Sequence, residues 1–192
     1  MSRESWDLRI SNALDDDLRE LLRDDFIFIY NIEAGMPLRL KPLIHRLIRS
    51  GYKILIYKLP RPIPAMNVLR SAVFAITTFS HRKAKFVEYI NPFEFLWIVK
   101  KATYIITDSF HGTIFSIIFE RPFVAVRRPG ANIRIIDLLD IFNLKDRLAY
   151  SSDDIERKLE EGIDYKAVKS LLEFHRKRSL ELLETALTSK KR

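Results

Sequence analysis

Phe26-Ile27-Phe28-Ile29-Tyr30 is an unbroken apolar run of β-branched and aromatic residues, and it constrains the fold more than any other feature of the chain. A strand with one face in water alternates polar and apolar side chains; this run has no polar side, so both of its faces must be covered. That requirement points to a parallel sheet with helices on each side. The neighbouring segments keep the same rhythm. Leu38 to Ser50 reads as a helix closed by Gly51 as a carboxyl cap, and Lys53-Ile54-Leu55-Ile56-Tyr57 reads as the next strand.

The alternation continues to the end of the chain. Before the first strand, Leu14, Leu18, Leu21 and Leu22 recur at helical spacing, with Asp15-Asp16-Asp17 suited to a helix amino end. Leu59-Pro60-Arg61-Pro62-Ile63-Pro64 is a loop, because closely spaced prolines fix φ and remove backbone donors. Val68 to Phe79 fits either helix or strand. Phe86 to Ile90 is a short strand candidate, and Asn91-Pro92 opens a helix with a cap residue followed by proline at the first helical position. A strand at Thr103 to Thr107, a helix at His111 to Glu120 and a strand at Pro122 to Val126 follow. Helices are then expected at Ile133 to Phe142, Ser152 to Glu160 and Tyr165 to Leu187. Strands alternating with helices predict an α/β fold, a Rossmann-like, doubly wound and mostly parallel sheet. With 192 residues, one such domain over the whole chain buries roughly 70% of the surface its unfolded form exposes.

Composition narrows the chemistry. The chain has no cysteine, which excludes a cysteine nucleophile, a thiolate metal site and a disulfide framework, and is compatible with a cytoplasmic location. Its apolar runs are far shorter than the ~20 residues of a membrane-spanning helix, and Met1 to Asp7 lacks the pattern of a secretory signal. The net charge of +8 is concentrated in the last segment, where Lys166, Lys169, Arg176, Lys177, Arg178, Lys190, Lys191 and Arg192 outnumber the acidic residues. A basic helix over residues 165–192 is read as a solvated face, with contact to an anionic inner membrane surface as the alternative. No nucleic-acid-binding motif is present, so no nucleic-acid partner is expected.

The chemistry-bearing candidate is the run Thr107-Asp108-Ser109-Phe110-His111-Gly112-Thr113, between the apolar strand candidate and the apolar stretch Ile114 to Phe119. It places a histidine at a strand-to-helix turn, where the next helix presents unpaired N–H groups and where open α/β sheets collect ligands. Gly112 lets backbone approach a ligand. Asp108 and Ser109 either cap the helix or touch the substrate. Arg127, Arg128 and Arg134 flank the loop after the following strand, at the same sheet edge, and arginine holds phosphate or carboxylate through a planar fork. His45, His81 and His175 lie among basic residues and read as surface positions, and no metal-ligand spacing is found.

Asn91-Pro92-Phe93-Glu94-Phe95-Leu96-Trp97, Ala102 to Gly112, Phe115-Ser116 and Arg121-Pro122-Phe123 together resemble the carboxyl-terminal half of the polysaccharide pyruvyl transferase family. Arg134 to Leu139 and Leu144 to Leu148 are similar to that family as well. The resemblance implies one half of a two-Rossmann-domain architecture of the GT-B type. It also implies transfer of the enolpyruvyl unit of phosphoenolpyruvate to a sugar as a ketal, on a cell-surface polysaccharide precursor. No cofactor is then expected, phosphoenolpyruvate being the donor substrate and a sugar or lipid-linked saccharide the acceptor. His111 is the counterpart of the family's functional histidine, as acid or base; a histidine changes charge near neutral pH and suits either. Asp108, Ser109, Phe110, Gly112, Thr113, Arg127, Arg128 and Arg134 become candidate substrate-binding residues, with Arg134 ranked first among the arginines.

The Gly-Asn-x-Gly-Asp opening of the family's amino-terminal half is not found, and Gly35 is the only glycine before Gly51. The expectation is therefore a second Rossmann-like domain whose partner is a separate amino-terminal half. A nucleotide-sugar glycosyltransferase domain and a non-catalytic remnant are the alternatives.

Overall fold

Phe26, Ile27, Phe28 and Ile29 are all buried, as a strand covered on both faces must be. The computed structural model of the chain describes residues 16–31, 40–58, 83–87, 89–127 and 133–189. Strand β1 (Phe26–Asn31) is central. On one side it pairs with β2 (Lys53–Lys58), which pairs with β3 (Ala84–Val87). On the other it pairs with β4 (Tyr104–Thr107), followed by β5 (Phe123–Val126) and β6 (Leu148–Ala149). The order is 3-2-1-4-5-6 and every pairing is parallel. This is the doubly wound Rossmann-like sheet that the alternating pattern predicts.

Helices cover both faces. Helix α1 (Asp16–Leu21), α3 (Pro92–Lys101), α4 (Phe110–Ile118), α5 (Ile133–Ile141) and α7 (Tyr165–Ser189) lie on one side. There Leu18, Ile98, Ile117, Leu139 and Val168 pack with Phe26, Phe28, Leu55, Ile105 and Phe123. Helix α2 (Lys41–Arg49) and α6 (Ser152–Glu160) lie on the other, where Leu43, Ile44, Ile155 and Leu159 meet Ile27, Ile29, Ile54, Ile56 and Val124. Arg46 of α2 ties the two helices together, reaching Glu156 at 2.8 Å and Asp153 at 3.0 Å. No described helix is long and apolar enough to cross a membrane.

Local chemistry sets the boundaries. Helix α2 ends at Ser50, and Gly51 takes φ +101° while its N–H bonds to Ile48 O, a left-handed exit that glycine adopts without strain. Asn91 caps α3 by accepting from the N–H groups of Phe93 and Glu94, and the Glu94 carboxylate returns a bond to the Asn91 N–H.

Two boundaries differ from expectation. Strand β3 starts at Ala84 and ends at Val87, before Ile90; Ala84 pairs with Ile54, and β2 is the only strand beside it among the described residues. Tyr89 is already exposed. The sequence also gave no warning of β6, which is two residues long and follows the 3-10 turn Lys145–Arg147. The prolines of 59–64, the ambiguous segment 68–79, Leu14 and residues 190–192 lie outside the described residues.

Candidate functional site

The strand order reverses between β1 and β4, so the crevice at their carboxyl ends is the topological switch point, where open α/β sheets bind ligands. Asp108 and Ser109 lead from β4 across that crevice into α4. The turn is built largely from hydroxyl groups. Thr107 lies opposite Tyr30 in the ladder, and its Oγ1 donates to Tyr30 O at 2.7 Å while accepting from the Ser109 N–H at 3.0 Å. Ser109 is the amino cap of α4, its Oγ accepting from Gly112 N–H at 3.4 Å. Thr113 Oγ1 donates to Ser109 O at 2.9 Å, and Ser116 Oγ to Gly112 O at 2.7 Å.

These bonds divide the candidate residues. Ser109, Gly112 and Thr113 are buried and form the turn itself. Gly112 has its own constraint: a Cβ there would lie 2.3 Å from Thr107 Oγ1, so the helix seats on β4 only because position 112 has no side chain. The glycine serves contact between helix and strand. Asp108 is buried beside Tyr30. Burial pushes the Tyr30 phenol above its ordinary pKa, and the charges of Tyr57 and Asp108 push it further.

His111 is the exposed member. Capping leaves the N–H groups of Phe110 and His111, the first two of α4, without a protein acceptor among the described residues. The His111 imidazole meets the Phe110 ring edge-on, with centroids 5.9 Å apart and planes at 83°. Arg134, at the start of α5, sets its Cζ 5.6 Å from the centroid of that same ring. Thus His111 and Arg134 both contact the Phe110 ring, at the helix end whose first two N–H groups have no protein acceptor among the described residues. Arg127 goes elsewhere, its Cζ over Tyr150 at 5.3 Å on the β6 side of β5. Arg128 lies outside the described residues.

A cleft of about 280 Å³ opens beside His111. Tyr30, Tyr57, Phe95 and Phe115 line it, together with Ile90 and Leu96. The Tyr30 and Tyr57 rings stack at 5.1 Å and 22°, Phe95 leans on Tyr30 at 4.7 Å and 44°, and Phe115 stands edge-on to Phe95 at 77°. Sequence reasoning passed over these aromatics. The available signal was that Tyr30 and Tyr57 both fall near the carboxyl ends of the two most evident strands.

The remaining histidines correct the surface assignment where they are described. His45 and His175 are half-buried, His175 lying edge-on to Phe142 at 6.1 Å and to Phe174 at 5.3 Å; His81 lies outside the described residues. No cluster of three or more His, Cys, Asp or Glu residues is arranged to hold a metal ion among the described residues.

Solved structures share this architecture. S. aureus MnaA in a co-structure with UDP aligns with a TM-score of 0.56 at 13% identity, over 82% of this chain and 42% of that one. The Methanocaldococcus jannaschii UDP-GlcNAc 2-epimerase, in complex with UDP-GlcNAc and UDP, aligns at 0.53 and 16%, over 88% of this chain and 51% of that one. An O-GlcNAc transferase from Thermobaculum terrenum aligns at 0.50 and 14%, over 80% and 32%. The likeness is one of fold, and the chain spans about half or less of the length of these proteins. It corresponds to one half of a two-Rossmann-domain, GT-B-like architecture. No curated protein matches the sequence. The polysaccharide pyruvyl transferase family matches residues 9–129, a span that contains the Asn91-Pro92 cap, the His111 turn and Arg127, and stops short of Arg134. With more than half of its length inside that match, the chain belongs to the polysaccharide pyruvyl transferase family.

Proposed function

We propose that this chain carries the donor-binding half of a pyruvyl transferase, an enzyme that moves the enolpyruvyl unit of phosphoenolpyruvate onto two hydroxyls of a sugar in a cell-surface polysaccharide precursor. The observation that carries the reading is that His111 and Arg134 both contact the Phe110 ring at the switch point, beside two helix N–H groups with no protein acceptor among the described residues. Phosphoenolpyruvate presents a phosphate and a carboxylate close together. An arginine fork and a helix amino end are suited to two such anions.

The chemistry asks for one movable proton. The methylene carbon of phosphoenolpyruvate gains a proton, leaving a cationic centre at C2 that a sugar hydroxyl attacks. The C2–O bond to phosphate then breaks, and a second hydroxyl closes the ketal. Of the two hydroxyl protons released, one balances the proton taken up by the methylene carbon and the other leaves with phosphate. His111 is the group proposed to relay these protons. Arg134 and the α4 amino end hold the charge that builds on the departing phosphate.

A second Rossmann-like half is proposed to supply the opposite wall of the cleft. A second reading, a nucleotide-sugar glycosyltransferase domain, draws on the UDP held by two structures of the same fold. Calorimetric titration of the chain with phosphoenolpyruvate, and separately with UDP, tests both. Phosphoenolpyruvate binding that His111→Ala or Arg134→Ala weakens supports the donor half; UDP binding alone supports the glycosyltransferase. Binding of neither would count against both and favour a remnant.

A further inference from the structure

We propose that the aromatic cleft beside His111 is a subsite for one pyranose ring of the acceptor saccharide, seated with its C–H face on Tyr30, Tyr57 and Phe95. The inference rests on the pyruvyl-transfer reading in one respect only, that His111 marks the donor. The chemistry of the lining then selects the occupant.

The cleft is unsuited to the donor. Apart from His111 its described walls are aromatic and aliphatic, and an anion moved there would lose hydration with no lysine or arginine among the described lining residues to pair with. Arg134 lies over Phe110, at the helix end whose first two N–H groups have no protein acceptor among the described residues, whereas Tyr30, Tyr57, Phe95 and Phe115 line the cleft. His111 belongs to both, lining the cleft while touching Phe110. Transfer requires an acceptor hydroxyl to reach the donor's C2 with a proton-relaying group between them. A ring in this cleft meets that requirement.

Shape separates a sugar from a nucleobase. A flat base is held best in a slot between parallel aromatic planes. Here Tyr30 and Tyr57 face one another, and the remaining rings are tilted, Phe95 by 44° to Tyr30 and Phe115 by 77° to Phe95. Ring planes of such different tilt suit the puckered face of a saturated ring better than a flat base. The volume of about 280 Å³ lies just below the roughly 300–1,000 Å³ typical of ligand pockets, room for one ring. Among the described lining residues, Tyr30 and Tyr57 add phenol hydroxyls beside the His111 imidazole. Burial favours the neutral, donating form of Tyr30.

The test is saturation-transfer NMR on the full chain with a panel of methyl pyranosides and with uridine, run beside calorimetry with phosphoenolpyruvate. Transfer to the C–H protons of at least one pyranoside is expected. It should fall roughly tenfold in Tyr57→Ala and persist within about threefold in Tyr57→Phe, which keeps the ring. Leu96→Trp, at a half-exposed wall position, should abolish it by filling the cleft without removing a core residue. Phosphoenolpyruvate affinity should stay unchanged in all three variants, which also certifies that they fold. Transfer from no pyranoside, transfer that survives both Tyr57→Ala and Leu96→Trp, or a preference for uridine overturns the proposal. Loss of phosphoenolpyruvate binding in the unaltered chain, with Tyr57-dependent sugar binding intact, sinks the donor assignment and leaves the sugar subsite standing.

Discussion

The guanidinium of Arg134 lies over the ring of Phe110, its Cζ 5.6 Å from the centroid. This contact joins the start of α5 to the start of α4, and it holds a cation beside the helix end that carries His111. Because a cation over an aromatic face at an exposed site is worth about 0.5–1 kcal/mol, Phe110 positions Arg134 without itself carrying charge. Phe110→Leu is expected to weaken phosphoenolpyruvate binding about two- to fivefold. Arg127→Ala, which removes a cation held over Tyr150, is expected to leave it unchanged. Parallel titrations decide the point: a loss in Arg127→Ala with none in Phe110→Leu would mean that net charge, and not the Phe110 platform, governs binding.

Gly112 predicts a stability effect inside the same turn. A methyl group at 112 meets Thr107 Oγ1 at 2.3 Å and Thr107 Cβ at 3.0 Å. The hydroxyl cannot swing away without losing Tyr30 O and the Ser109 N–H. Gly112→Ala should therefore destabilise the protein by about 1–3 kcal/mol, the usual range for overpacking, although alanine is the better helix former. Thr107→Ala removes the hydroxyl, so the double variant should be more stable than the sum of the two single losses predicts. Urea unfolding of the four proteins gives the coupling; strict additivity would show that the close approach is relieved elsewhere.

The turn was readable in the sequence because its parts are consecutive: an apolar strand, a short stretch of hydroxyl and acidic residues, a histidine and a glycine, then an apolar helix. The cleft was not, because its residues are far apart in the chain. Tyr30 meets Tyr57 through the parallel register of β1 and β2, and Phe95 meets Phe115 through the packing of α3 on α4. Each alone reads as core. The same contrast holds for the strands. A run such as Phe26 to Tyr30 announces burial on both faces, whereas β6 is two residues held in place by β5 and the turn before it. Arg147 was equally hidden, a basic residue within Lys145-Asp146-Arg147 that the fold buries.

Arg147 is 2% exposed, and its guanidinium bonds to Asp146, to Glu161 Oε2 at 2.8 Å, and to the carbonyls of Lys158 and Glu161 at 2.9 and 3.1 Å. It joins the turn before β6 to the end of α6. Asp146 and Glu161 are themselves half-exposed, so losing the cation returns them to water and leaves the two carbonyls as the main cost. Arg147→Met should destabilise by about 2–4 kcal/mol, from unpaired buried carbonyls and imperfect packing. Glu161→Gln, which keeps a hydrogen-bond acceptor, should cost less than about 1 kcal/mol. Denaturant midpoints measure both. A similar loss in each would show that the ion pair, and not the carbonyl bonds, is what the buried arginine contributes.

Asp154 gives the fold a pH dependence. Partial desolvation raises its pKa, but the hydrogen bond from the Tyr150 N–H at 3.0 Å and the Arg157 and Lys158 cations outweigh it and hold the carboxyl below its ordinary value. The unfolded chain therefore takes up this proton first as pH falls. The stabilisation is complete above the ordinary carboxylate pKa of about 3.9 and disappears as pH drops through that value and then through the lower native one. While its carboxylate accepts from the Tyr150 N–H, the Asp154 N–H donates to Ser151 Oγ, the cap of α6. Asp154→Asn is expected to cost about 1 kcal/mol at neutral pH, the usual loss for a capping side chain. That difference should shrink toward zero in strong acid, where the native carboxyl is also neutral. Thermal unfolding of both proteins from neutral to acid pH checks the sign: a gap that widens as pH falls would mean that the native carboxyl takes up its proton more readily than the unfolded one.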